Sequence, residues 1–251
     1  RHVTGETQTR RFHYAWVVFV AAFITLVGAA GFRSAPGVLI NPLHEEFGWG
    51  RGTVGTAVSI NVTLYGLVGP FAAALQLRFG LRRVTMASLA IISTGALLTT
   101  RMHSPWQLFL LWGVIVGVGS GCMATVFAST VASRWFVRHR GIVTGALTAA
   151  SASGQLVFLP VLASLAKHHG WRSVSLTIAV SATAVIPVVF LLLRNSPADM
   201  GLLPVGAPDD FRPPSVIGNP VATAFGALRD ARRDHVFWLL WGSFLVCGLS
   251  T

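Results

Sequence analysis

Arg33 stands in the stretch GAAGFRSAPGVL (residues 28–39), near the end of an apolar segment that holds no other charge. A guanidinium does not shed its proton, and its burial in hydrocarbon is costly. Two roles fit such a residue. It can grip an anion through forked hydrogen bonds, or it can snorkel to the membrane surface. Arg33 lies roughly 27 Å along a helix counted from Ala15 at about 1.5 Å per residue, which suits snorkelling. Gly28, Gly31, Pro36 and Gly37 surround it and free backbone groups, which suits a site lined by protein or water. Asn61 and Tyr65 stand four residues apart on one apolar stretch, and Ser151 and Gln155 do the same on another. Each pair shares a helix face, where it can orient a ligand or join two helices. Arg33, Asn61, Tyr65, Ser151 and Gln155 are the candidate ligand-binding set.

Other chemistry finds little support. The eight carboxylates all fall outside the apolar stretches, so the usual intramembrane proton relay has no acid here. GRGTVG (residues 50–55) has the form of a dinucleotide fingerprint but lacks its strand and its acid. Lys167 is the only lysine, which removes a phosphate-binding loop; HEEFG (residues 44–48) lacks the second histidine of a zinc protease. His168 and His169 read as solvated loop residues. Cys122 and Cys247 both fall in apolar stretches and form no disulfide or zinc pattern. Asn61-Val-Thr63 is a glycosylation sequon in form only. No cofactor, metal or catalytic constellation is expected, and the chain is not read as an enzyme.

The elements that must position Arg33 follow from charge distribution. Of 251 residues, 53% are hydrophobic and 11% charged, against about 25% charged in soluble domains. Uncharged stretches cover Phe12–Phe32, Thr53–Leu77, Val84–Thr100, Met102–Ser133, Gly141–Ala166, Ser173–Leu193 and Val236–Thr251. Six are long enough to span a bilayer, which takes about 20 apolar residues. The organisation expected is an N-terminal arm (1–13), a six-helix bundle (14–194), a linker rich in proline and charge (195–235) and a seventh helix cut short (236–251). A chain ending inside a span reads as the front half of a larger protein. Fourteen of the nineteen Lys and Arg residues fall in the arm and the even-numbered connections. The positive-inside rule places these in the cytoplasm with the N-terminus, beside anionic lipid headgroups, in a multi-pass protein of the inner membrane.

FGLRRV (79–84) and HGWRSV (169–174) share Gly-x-Arg-x-Val at an offset of 90, and RGTVG (51–55) and RGIVTG (140–145) recur at 89. By topology each pair lies on opposite sides of the membrane, as an inverted three-helix repeat requires. Gly113, Gly117 and Gly121, and Gly141 and Gly145, stand at four-residue intervals and predict close helix packing.

EEFGWGRGTVG, LYGLVGPFAAAL, SRWFVRHRGIVTGALTAASASGQLVFLP and RNSPADMGLLPVG resemble a major facilitator superfamily transporter, in its amino-terminal half. Within that superfamily they are similar to the bacterial monocarboxylate-transporter-like and oxalate/formate-antiporter-like branch. The resemblance implies an all-α integral membrane fold: the six-helix amino-terminal bundle, built of two inverted three-helix repeats, plus the start of helix seven. It assigns conformational roles to Arg78, Gly80 and Arg82 of the GxxxDRxGRR motif, and to Arg138 and Arg140 of the fifth-span signature. The motif's acid falls on Leu77 and its first glycine on Ala73, and the fourth-span arginine of many drug exporters falls on Gly113. The antiporter motif GPxxGG is missing from the fifth span, and the acid-Gly signature of animal monocarboxylate carriers from HYAW (13–16). The function implied is alternating-access transport of a small organic anion, a monocarboxylate or short dicarboxylate, with Arg33 pairing a carboxylate in the central cavity. A proton or counter-anion is the expected co-transported species, the bilayer and a carboxy-terminal six-helix half the expected partners. Drug export and a non-transporting scaffold or sensor are the alternatives.

Overall fold

The computed structural model of the protein describes residues 13–123, 125–208, 225–226, 229–239 and 242–243. The expected arm lies outside the described residues apart from His13, as do Cys247 and most of the expected seventh helix.

Among the described residues six helices are long and apolar enough to cross a membrane: α1 (Ala15–Phe47), α2 (Arg51–Phe79), α3 (Leu81–Thr99), α4 (Pro105–Trp135), α5 (Arg140–His169) and α6 (Trp171–Leu192). Their connections are short. Gly80 alone joins α2 to α3, and Gly170 alone joins α5 to α6, with φ of 89° and 76°. A side chain rarely adopts that conformation, so glycine is what permits each one-residue reversal.

α1 outruns the apolar stretch that predicted it. The uncharged segment ends at Phe32, yet the helix continues to Phe47 through Pro36 and Pro42. The reason is packing: Phe32, Ala35, Leu39 and Leu43 are buried at three- and four-residue spacing, so the apolar stripe persists among polar neighbours. Such burial offsets the hydrogen bonds that the prolines remove. Arg33 therefore sits near the middle of a 33-residue helix rather than at its outer end.

α4 is irregular. It opens on a capping box at Ser104 and Gln107, passes through a π-helical segment at Phe109–Val116, and is interrupted after Gly121 before resuming at Thr125–Trp135. Gly113, Gly117 and Gly121 press on α2 at Ala57–Ile60, Asn61–Leu64 and Tyr65–Val68, where an added methyl would come within 2.8–3.4 Å. Gly141 and Gly145 differ from expectation: an added methyl on either meets no atom within 4 Å.

The packing repeats with the sequence. α1 packs on α5 as α4 packs on α2; α1 packs on α6 as α4 packs on α3; α3 and α6 pack on each other. That exchange of partners is what a twofold relation between α1–α3 and α4–α6 produces.

The first residues of the expected linker are docked on the bundle. Asn195 Oδ1 accepts the Arg82 backbone N–H at 2.9 Å, and Arg134 Nη1 donates to the Asn195 carbonyl at 3.0 Å. Val205 exchanges backbone hydrogen bonds with Trp135 and Val137, both at 2.9 Å, and His13 Nε2 meets the Leu203 carbonyl at 3.0 Å. The turn between them, Pro197–Met200, is closed by a Ser196–Asp199 capping box.

Candidate functional site

A cleft of about 50 Å³ opens between four helices. α1 contributes Leu26 and Arg33, α2 Tyr65, α4 Met123 and Ala128, and α5 Leu147, Thr148 and Ser151. Its volume fits one small head group or a few waters.

Each polar group reaches the cleft for a local reason. Arg33 lies one residue from Phe32 and Ser34, which turn inward and are buried, while Arg33 itself is exposed. Gly31 lets α5 approach at this level, since an added methyl would touch the Phe158 ring at 3.0 Å. Ser34 Oγ then donates to the Gln155 carbonyl at 3.2 Å, tying α1 to α5. The Arg33 guanidinium lies 4.8 Å from the centre of the Tyr65 ring, within cation–π range. Its Nη1 reaches Ser151 Oγ at 3.5 Å, a long hydrogen bond.

The structure thus brings three of the five candidates together: Arg33, Tyr65 and Ser151. It turns the other two elsewhere. Asn61 Nδ2 donates to the Trp112 carbonyl at 2.8 Å, inside the π-helical segment of α4. Gln155 meets Ser34 through its backbone and does not line the cleft. Thr148 is a lining residue that the sequence reading missed. Its signal was present, because it stands three residues before Ser151 on the same helix face.

The lining contains one full charge, two aliphatic hydroxyls and a phenol; Leu26, Met123, Ala128 and Leu147 complete it. Among the described residues no carboxylate lines it. Such a wall offers an anion a charge-assisted fork from Arg33, hydroxyl donors beside it, and apolar surface for what the anion carries.

The five motif residues gather at the opposite end, around the docked segment. Gly80 faces the Asn195 amide, 2.6 Å from where a methyl would sit, and the next turn's Arg82 N–H uses that amide's oxygen. The Arg82 guanidinium lies 4.3 Å over Phe190 of α6, and that of Arg78 lies 5.3 Å over neighbouring Phe79. Arg140 Nε donates to the Phe136 carbonyl at 3.0 Å, and the Arg138 Cβ abuts Gly206. Arg134 and Asn195 were not foreseen as the hub of this cluster; nothing in their spacing marks a contact across 61 residues.

The family model described as Major Facilitator Superfamily matches residues 17–251. The chain is 26% identical over 183 residues to an uncharacterized MFS-type transporter, YcxA, of Bacillus subtilis (strain 168), covering 72% of this chain and 45% of that protein. It is 28% identical over 159 residues to human monocarboxylate transporter 7, covering 63% and 30%. It is 27% identical over 191 residues to mouse monocarboxylate transporter 14, covering 73% and 37%. The chain therefore spans less than half the length of these relatives.

Proposed function

The chain belongs to the Major Facilitator Superfamily, and on that premise we propose that its Arg33 cleft is one wall of a transport site for a small organic anion. The family's members are transporters, and the chain is not an enzyme. The substrate class is a monocarboxylate or short dicarboxylate, moved by alternating access between this bundle and a second one. The observation that carries the reading is Arg33 itself: a mid-helix guanidinium, laid on an aromatic face and near a hydroxyl, in a cleft with no acid among its described lining residues. The relatives named as monocarboxylate transporters support the same choice.

Within this reading the chain's own residues divide the work. Arg33 takes the carboxylate, and because a guanidinium does not release its proton it relays none. Tyr65 holds the guanidinium from one side, and Ser151 and Thr148 supply hydrogen bonds beside it. Asn61 and Gln155 belong to the helix contacts that hold this wall in shape. A co-transported proton or counter-anion is assigned to groups outside this cleft, since no carboxylate or histidine is found in its lining among the described residues. The positive-inside distribution supports an inner-membrane orientation with His13 on the cytoplasmic side.

The test is uptake of labelled lactate, pyruvate, formate and oxalate into proteoliposomes carrying the complete two-bundle protein. Loss of a charged hydrogen bond costs about 1.5–3 kcal/mol, so Arg33→Gln is expected to raise the half-saturation concentration at least about tenfold. Arg33→Lys keeps the charge but loses the fork, and its loss is expected to be intermediate. Uptake indifferent to Arg33 in a folded variant would make it a snorkelling residue. The 251-residue chain alone is expected to give no saturable flux, because on this reading a second bundle supplies the facing wall.

A further inference from the structure

At the end of the bundle that carries His13, a second and larger cleft of about 360 Å³ is lined by Arg82, Arg194, Asn195, Asp199 and Met200. It is separate from the Arg33 cleft and shares no residue with it. Its charge is unbalanced. Among the described residues Asp199 is the one acid in the lining, and both its oxygens are engaged at 3.1 Å by the backbone N–H and hydroxyl of Ser196. Arg134, held nearby on the Asn195 carbonyl, is a further cation within electrostatic reach of that carboxylate, without an ion pair to it among the described residues. Arg82 and Arg194 are left over, and neither forms an ion pair among the described residues. The Arg82 Nε is moreover buried without a hydrogen-bond partner. The α3 terminus is not what is on offer, since Asn195 already accepts the Arg82 backbone N–H.

The surroundings say which anion fits. The Arg82 guanidinium rests on Phe190, and Phe190 and Leu191 are 53% and 62% exposed at the end of a membrane-spanning helix. Phe79, next to Gly80, is likewise exposed. A cationic cleft that borders such a strip has its charge at headgroup depth and its rim against acyl chains. Arginine forks match phosphate oxygens geometrically, and each basic residue near an anionic membrane surface contributes about 1 kcal/mol.

We propose that Arg82 and Arg194 form a binding site for the headgroup phosphate of an anionic phospholipid, framed by the docked segment after α6. The test is titration of the purified protein, in uncharged detergent, with short-chain phosphatidylglycerol, phosphatidylcholine and inorganic phosphate. Binding is read by native mass spectrometry alongside the thermal midpoint. Phosphatidylglycerol is expected to bind saturably and in preference to phosphatidylcholine. Arg82→Gln/Arg194→Gln should weaken it on the order of thirtyfold, about fivefold per arginine. The corresponding double lysine variant should keep most of the affinity, and Arg83→Gln, exposed outside the cleft, should keep all of it. If Arg82→Gln does not fold, Arg194→Gln alone carries the test at about fivefold. Equal binding of the two lipids, unchanged binding in the glutamine variants, or inorganic phosphate binding as tightly as the lipid would each overturn the proposal.

Discussion

At the scale of single residues, the outcome turns on where an i,i+4 pair points. Asn61 and Tyr65 share a helix face, yet they serve different partners: Tyr65 lies under Arg33, and Asn61 reaches the Trp112 carbonyl. The difference is legible only once α4 is in place, because the widened π-helical turn leaves room for a donor from outside. This separation makes three substitutions diagnostic. Tyr65→Phe keeps the ring face, so the half-saturation concentration of the complete transporter is expected to stay within about twofold. Tyr65→Leu removes it, and a cation–π contact of about 0.5–2 kcal/mol predicts a rise of roughly two- to thirtyfold, with the maximal rate little changed. Asn61→Ala should do the reverse. It removes the hydrogen bond that joins α2 to the Trp112 carbonyl and should cost about 0.5–1.5 kcal/mol of stability, read as a lower thermal midpoint, while substrate affinity is retained. Uptake kinetics together with thermal unfolding of the same three variants separate the two roles.

At the scale of elements, α4 is held in its irregular shape by α2. A second amide of α2, Gln76, is fully buried and donates to the Cys122 carbonyl at 3.0 Å, where α4 is interrupted. Both breaks in α4 are thus met by α2 side chains, and the glycines between them let the backbones come close enough. Four-residue glycine spacing predicted such contact on both α4 and α5, but the sequence does not reveal which face of a helix finds a neighbour. The contrast yields a stability test. Gly121→Val would drive a branched side chain into Val68, 2.8 Å from its first carbon, and is expected to cost about 1–3 kcal/mol or more. Gly145→Ala meets open space within this bundle, and removing a helical glycine there should stabilise it by about 0.5–1 kcal/mol. Thermal unfolding of the purified chain measures both. The docked segment is a third element, and composition alone reads it as a connector. Its anchors are backbone groups and one amide reaching across more than a hundred residues, which leave no local pattern.

At the scale of the whole molecule, the repeat seen as two short sequence matches becomes a symmetry of contacts. Ser93 and Thr183 are 90 residues apart and hydrogen-bond to each other at 2.7 Å, so they lie where a twofold relation maps the bundle onto itself. Gly117 meets Leu64 on α2, and Gly154 meets Val27 on α1; both members of the second pair are displaced from the first by the same 90 residues. Even the turns correspond: SPWQ after α3 and SPAD after α6 both form capping boxes with proline in the first turn. The fold was legible in sequence because charge gaps and the Gly-x-Arg-x-Val recurrence are local; the length of α1 and the docked segment were not, because they rest on contacts made far along the chain. The symmetry is broken at one informative place. Gly80 and Gly170 occupy equivalent joints with positive φ, but Gly80 also abuts the Asn195 amide, whereas Gly170 has no atom within 4 Å of an added methyl. Gly170→Ala therefore incurs backbone strain alone, about 1–3 kcal/mol. Gly80→Ala incurs the same strain and displaces Asn195, freeing the Arg82 N–H and the Arg134 contact at once. Its thermal midpoint should fall further, and hydrogen exchange at Leu202–Val205 should quicken in Gly80→Ala and not in Gly170→Ala. Equal losses in the two variants would mean that the segment after α6 contributes nothing to holding the bundle.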